Sequence, residues 1–148
     1  LKNLVGLAPI SEYRRDPSHN NRSWFHGSSS FDERLPRVVV DLNLACPVSF
    51  ALIDGVITAE GGAGPWDAGL SQVKPGLLLA GRDPVAVDAV STAVMGFDPQ
   101  AASGTSPFGN CENHLALAAQ AGLGTHALAE IPVLGPQVEE IRFPFLMP

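Results

Sequence analysis

The sequence is short of charge, of basic clusters and of long apolar runs, and each shortage excludes a class of protein. Only 16% of the 148 residues are charged, and the nine Lys and Arg residues form no cluster beyond Arg14 and Arg15. Nucleic acid is therefore not an expected ligand. No apolar run reaches the roughly 18–20 residues of a membrane span, so no membrane is expected. The formal net charge of -6 favours a cation or a cationic group as ligand.

Cysteine is also scarce, with only Cys46 and Cys111 in the chain. An iron–sulfur cluster normally takes a full set of cysteine thiolates, so we expect none within this chain. One disulfide between the two is an alternative to two buried free thiols. We interpret them as free thiols in a reducing compartment and expect a cytoplasmic protein.

What is present, 45% hydrophobic residues in alternating predicted strands and helices, indicates one α/β domain over residues 1–148. We expect a layered, mixed or mostly parallel sheet flanked by helices. The polar stretch 11–30 predicts a long loop, and residues 61–69 predict an irregular glycine-rich segment. Strands are predicted at 1–9, 48–53, 56–59 and 76–80, helices at 36–46, 84–95 and 110–121, and a final hairpin at 131–134 and 138–141.

The helix after residue 83 has the clearest signals. Asp83 is a predicted N-cap, Pro84 suits the first helical position, and Gly96 suits the end. Asp88 lies in an otherwise apolar helix, on one narrow polar face with Ser91 and Thr92. That face is either a solvated edge or a partly buried carboxylate that needs a partner such as Arg82, a metal or a substrate amine. A helix this apolar favours the second alternative.

A second candidate site follows the predicted strand at 48–53. Asp54 ends that strand and Glu60 lies shortly after it, where open α/β sheets place ligands, and both are candidate metal ligands. Gly61, Gly62 and Gly64 would let the backbone approach a ligand, and their amides could hold an anion such as a phosphate. A glycine-rich turn with no ligand explains the same pattern equally well.

The histidines are interpreted separately. His26, with His19 in the same predicted loop, is either a surface residue or a general base and metal ligand that completes the carboxylate site. His114 and His126, near the end of the chain, are interpreted as structural.

Several blocks resemble the domain of unknown function 362 (DUF362) family, from Leu1 to about Gly124. The blocks are Lys-Asn-Leu-Val-Gly at 2–6, Ile-Asp-Gly-Val at 53–56, Glu-Gly at 60–61, Gly-Pro at 64–65, Gly-Arg-Asp-Pro-Val-Ala-Val-Asp-Ala at 81–89 and Met-Gly-Phe-Asp-Pro at 95–99. The resemblance implies that this chain, which begins without Met, is a fragment or the C-terminal half of the family's domain. It also implies a further N-terminal portion and a ferredoxin-like iron–sulfur module as partners.

The resemblance carries no common reaction, but it implies which residues match the family's characteristic positions. These are Lys2, Asn3, Asp54, Glu60, Gly64, Pro65, Asp83 and Asp88, with His26 matching a histidine that follows the first block.

The leading hypothesis is a metal- or small-ligand-dependent enzyme, or a redox-associated module, that uses a carboxylate and glycine-rich site, with a divalent metal as a candidate cofactor. Lys2, His26 and Asp88 are its predicted catalytic residues and Asp54 and Glu60 its metal ligands. Its predicted ligand-binding residues are Asn3, Gly61, Gly62, Gly64 and Arg82. The alternative is a non-catalytic ligand-binding or protein-interaction module, and a homo-oligomer is a further candidate assembly.

Overall fold

The computed structural model describes residues 1–7, 31–62, 64–65 and 67–147, with the side chains of residues 31–34 also left undescribed. The predicted loop at 11–30, and His26 with it, lies outside these ranges. The chain begins with a 3-10 helix, Lys2–Leu7, where the sequence predicted a strand. That prediction was wrong because a short apolar run does not distinguish a strand from a helical turn by its pattern.

Three α-helices and four short strands make up the described fold. The helices are α1 (Phe31–Ala45), α2 (Pro84–Val94) and α3 (His114–Gln120), followed by a second 3-10 helix, Leu128–Glu130. The strands are β1 (Ala51–Gly55), β2 (Thr58–Glu60), β3 (Ser71–Val73) and β4 (Leu77–Gly81).

The strands form two small antiparallel pairs. β1 pairs with β4, from Ala51 opposite Gly81 to Gly55 opposite Leu77, and β2 pairs with β3. The α/β class is confirmed, but the sheets are antiparallel rather than parallel. The reason is the connection between β1 and β4, which has no crossover helix. It folds into the β2–β3 pair and returns the chain directly alongside β1.

Helix α2 packs on one face of the β1–β4 pair. Alternate residues such as Ile53 and Leu79 are half-buried on that face, whereas Leu52 and Leu78 are exposed on the other. The approach is close, since a Cβ on Gly81 would lie 2.7 Å from a methyl carbon of Val87. Helix α2 also contacts α3 and the second 3-10 helix, and the core is formed by Val40, Val85, Ala89, Phe108, Leu115 and Ala118.

The predicted ends of α2 are confirmed. The Asp83 carboxylate accepts hydrogen bonds from the backbone N–H groups of Val85 (2.8 Å) and Ala86 (2.9 Å), and Gly96 ends the helix with φ 88°. The second Asp83 oxygen accepts the N–H of Thr125 at 3.0 Å. Any side chain on Gly124 would overlap that carboxylate, which explains the glycine there.

Helix α3 starts later than predicted, because its N-cap is Asn113 rather than Asn110. Asn113 is 4% exposed and accepts the N–H groups of Leu115 (2.9 Å) and Ala116 (3.1 Å). Its amide nitrogen donates to the carbonyls of Pro99 and Ala101. One buried side chain therefore ties the loop before α3 to the helix.

The predicted C-terminal hairpin is wrong, since residues 131–141 form no strand. Pro132 and Pro136 lack the N–H group that a strand ladder needs. The chain instead returns to the end of α2, where Phe143 and Phe145 donate backbone hydrogen bonds to the carbonyls of Val94 (2.8 Å) and Met95 (2.9 Å).

We expect Asp83→Ala to lower the free energy of unfolding by about 2 kcal/mol, because it removes a helix cap and a hydrogen bond to a distant loop. Chemical denaturation measures this. Asp98→Ala is the matched control, since the exposed Asp98 carboxylate accepts the local N–H of Gln100. Equal losses in the two variants would contradict the account.

Candidate functional site

Asp54 lies on the exposed face of the β1–β4 pair, opposite Leu78. Its carboxylate accepts the backbone N–H of Val56 at 3.0 Å. This contact stabilises the turn after β1. A structural role in this turn is the alternative to metal binding for Asp54.

Glu60 and the glycine-rich segment after it form hydrogen bonds with other residues of the chain. Glu60 accepts the N–H of Leu146 at 2.8 Å and the hydroxyl of Ser71 at 3.4 Å, while Gly61 donates to the Leu146 carbonyl. Gly64 donates to the carboxylate of Asp67 at 3.2 Å. A carboxylate beside this amide disfavours a phosphate there, because the two negative charges repel.

Close packing accounts for two of the glycines. Gly61 has φ 75°, and a Cβ on it would overlap the Gly69 carbonyl oxygen. A Cβ on Gly62 would lie 2.5 Å from the Cβ of Asp67. Both positions therefore require glycine without any ligand.

Asp88 lies on the other side of α2, away from the sheet. Its carboxylate is 2.8 Å from the backbone amine of Leu1, and its side chain is 24% exposed. The hydroxyls of Ser91 and Thr92 donate to the Asp88 backbone carbonyl rather than to the carboxylate. The charge partner of Asp88 in this structure is thus the amine of Leu1.

The predicted site residues fall into separate places. Lys2 follows Leu1 in the 3-10 helix on the Asp88 side, where Asn3 is exposed. Arg82 is exposed at the start of α2 and lines a groove with β4 and residues 131–134. Asp54, Glu60 and the glycines belong to the strand region on the far side of α2. Within the described ranges, no three His, Cys, Asp or Glu side chains are grouped to hold a metal ion.

A cavity of about 380 Å³ lies on the Asp88 side, between the first 3-10 helix, α1, α2 and the start of α3. Most of its wall is apolar, and four polar side chains reach it. The lining residues are Lys2, Leu35, Pro36, Val39, Thr92, Met95, Phe97, Pro107, Phe108, Cys111 and His114.

Burial lowers the pKa of His114 in this cavity. The negative charge of Asp88 opposes that shift, and the positive charges of the Leu1 amine and Lys2 add to it. The edge-to-face contact with Phe108, at 5.8 Å between ring centroids, keeps the imidazole against an apolar neighbour. His114 is therefore an uncharged imidazole at neutral pH, able to accept or donate a proton.

His114 and Cys111 were missed as site residues. His114 was interpreted as structural because its position inside a helix predicted from Asn110 showed nothing special. With the cap at Asn113, His114 becomes the first residue of α3, three residues after Cys111. The two cysteines form no disulfide with each other, and Cys46 is exposed rather than buried.

Residues 1–93 match the sequence profile of the domain of unknown function DUF362. The chain belongs to the DUF362 family. No curated protein and no solved structure matches the chain. The matched residues contain Lys2 and Asp88, whereas Cys111 and His114 lie beyond them. No helix of this DUF362 chain, in the part that the structure describes, is long and apolar enough to cross a membrane.

The lowered pKa of His114 predicts a pH dependence of stability. Below its usual value of 6.5, the unfolded chain binds a proton that the native imidazole resists, so stability falls as the pH is lowered through this window. The slope is at most about 1.4 kcal/mol per pH unit for one proton. Denaturation midpoints from pH 8 to pH 5 measure it.

His114→Gln should flatten that slope, and His126→Gln serves as the control because His126 lies outside the cavity. An unchanged slope in His114→Gln would show that burial of this imidazole does not cause the dependence.

Proposed function

We propose that this DUF362 chain binds a small molecule in the cavity beside His114. The observation that carries the proposal is the combination of a mostly apolar wall with Lys2, Thr92, Cys111 and His114 at one place. Ligand pockets in proteins have this composition, with a mostly apolar lining and few convergent polar groups.

The polar groups have distinct roles in this proposal. Lys2 supplies a cation, and neutral His114 is the acid–base group that contacts the ligand. Asp88 acts through His114, because its negative charge raises the proton affinity of that imidazole. An enzyme reaction in the cavity would use His114 for the proton transfer that the sequence assigned to His26.

The metal-dependent form of the function remains a separate proposal. Asp54 and Glu60 are its candidate ligands, and they would need further donors because each now accepts a backbone hydrogen bond. Metal analysis of the intact protein separates the two forms. A cytoplasmic location also remains a prediction, and the exposed free thiol of Cys46 supports it.

Ligand entry should fail when the cavity is filled. We expect 3-phenylpropanol, a small apolar probe, to shift the NMR signals of the Met95 methyl and the His114 ring. Leu35→Trp places a larger side chain in the cavity and should abolish these shifts. Leu44→Trp is the matched control, because Leu44 is exposed near the end of the same helix. Probe shifts that survive Leu35→Trp would contradict the site.

A second candidate function comes from the outer face of the β1–β4 pair, which exposes Phe50, Leu52 and Leu78 by 59%, 61% and 64%. We propose that a second copy of this chain covers this face. Asp54 lies on it opposite Leu78, while Arg82 directly follows the other end of β4. A two-fold arrangement with reversed strands brings these opposite charges of the two copies together.

Sedimentation velocity tests this contact. The chain should be dimeric, and Leu52→Asp should make it monomeric, because a charge would be buried in the contact. Leu7→Asp is the control, since Leu7 is exposed in the first 3-10 helix, outside the β1–β4 pair. A monomeric wild-type chain overturns the self-association. The family's N-terminal portion or ferredoxin-like module would then be the occupant to test.

A further inference from the structure

We infer that the ligand of the cavity is an apolar monoanion, such as an arylalkyl or short aliphatic carboxylate, whose acidic group lies beside Lys2. This inference rests on the proposed function, since it names the chemical class of the molecule that the same cavity binds.

The charge of the lining residues indicates the sign of the ligand's charge. Among the described side chains that line the cavity, Lys2 carries the only formal charge at neutral pH, since His114 is uncharged. No Asp or Glu is among those described lining residues, and Glu112, which follows the lining residue Cys111, is bound by Arg37 at 2.5 and 3.0 Å. An anion therefore finds an attractive charge and no carboxylate among the described side chains of the wall.

The other lining residues indicate the apolar part of the ligand, and the single lysine indicates how many negative charges its acidic group carries. Phe97, Phe108 and Met95 offer ring faces and a flexible thioether to an apolar or aromatic group. One lysine compensates one negative charge, whereas a phosphate dianion would need further cations, and none is among the described lining side chains. The neutral imidazole of His114 adds one N–H donor for an acidic oxygen.

The test compares 3-phenylpropionate with 3-phenylpropanol, which shares its carbon skeleton without the charge. Isothermal titration of the intact chain at pH 7.5 and low salt should show the acid binding about fivefold more tightly, as expected for one charge pair in water. Lys2→Gln should lower the affinity for the acid to that for the alcohol. Lys74→Gln, which changes an exposed lysine outside the cavity, should keep the preference.

Each other outcome has a separate meaning. Equal affinities for acid and alcohol in the wild-type chain would overturn the anionic class but leave the proposed binding function standing. A preference for the acid that persists in Lys2→Gln would overturn the role of Lys2. Failure of both probes to bind would overturn the proposed function itself.

Discussion

The carboxylate of Asp83 joins two parts of the chain that lie 42 residues apart. One oxygen caps α2 through Val85 and Ala86, and the other holds the loop at Thr125, which follows α3. Because α2 packs on the sheet with one side and on α3 with the other, this contact fixes the layers relative to each other. Only glycine fits at position 124 beside it. The motif residue Asp83 is thus explained by its structural role.

The position of α2 sets which of the described polar side chains come together. On its sheet side, the Asp54 carboxylate and the Gly64 amide are used in local hydrogen bonds, as are Glu60 and the tail residue Leu146. On its other side, a cavity is lined by Lys2, Thr92, Cys111 and His114, and Asp88 lies close enough to act on His114 by its charge. One helix therefore separates two groups of residues that the sequence pattern had suggested as a single site.

The sequence predicted α2 and its ends well because Asp83, Pro84 and Gly96 act locally, through their own backbone neighbours. It failed where the outcome depends on distant contacts. The cap of α3 is Asn113, whose amide reaches Pro99 and Ala101, and nothing local distinguishes it from Asn110. The first 3-10 helix and the antiparallel β1–β4 pair depend in the same way on contacts between residues that are distant in the sequence.

The candidate site was predictable in part for the same reason. Lys2 and Asp88 were singled out from motif and pattern, and both lie at or beside the cavity. His114 could not be recognised, since its role depends on burial against Phe108 and on the charge of Asp88 in another helix. A functional residue whose only signal is tertiary contact is invisible to periodicity and spacing.

The central claim is that ligands bind on the α3 side of α2 rather than at the glycine loop. A crystallographic screen of the unmodified chain with a library of small, chemically mixed fragments tests it without assuming a ligand class. The account predicts that bound fragments concentrate in the cavity beside Lys2 and His114. Fragments concentrated at Asp54 and Gly61–Gly64, with the cavity empty, would contradict it.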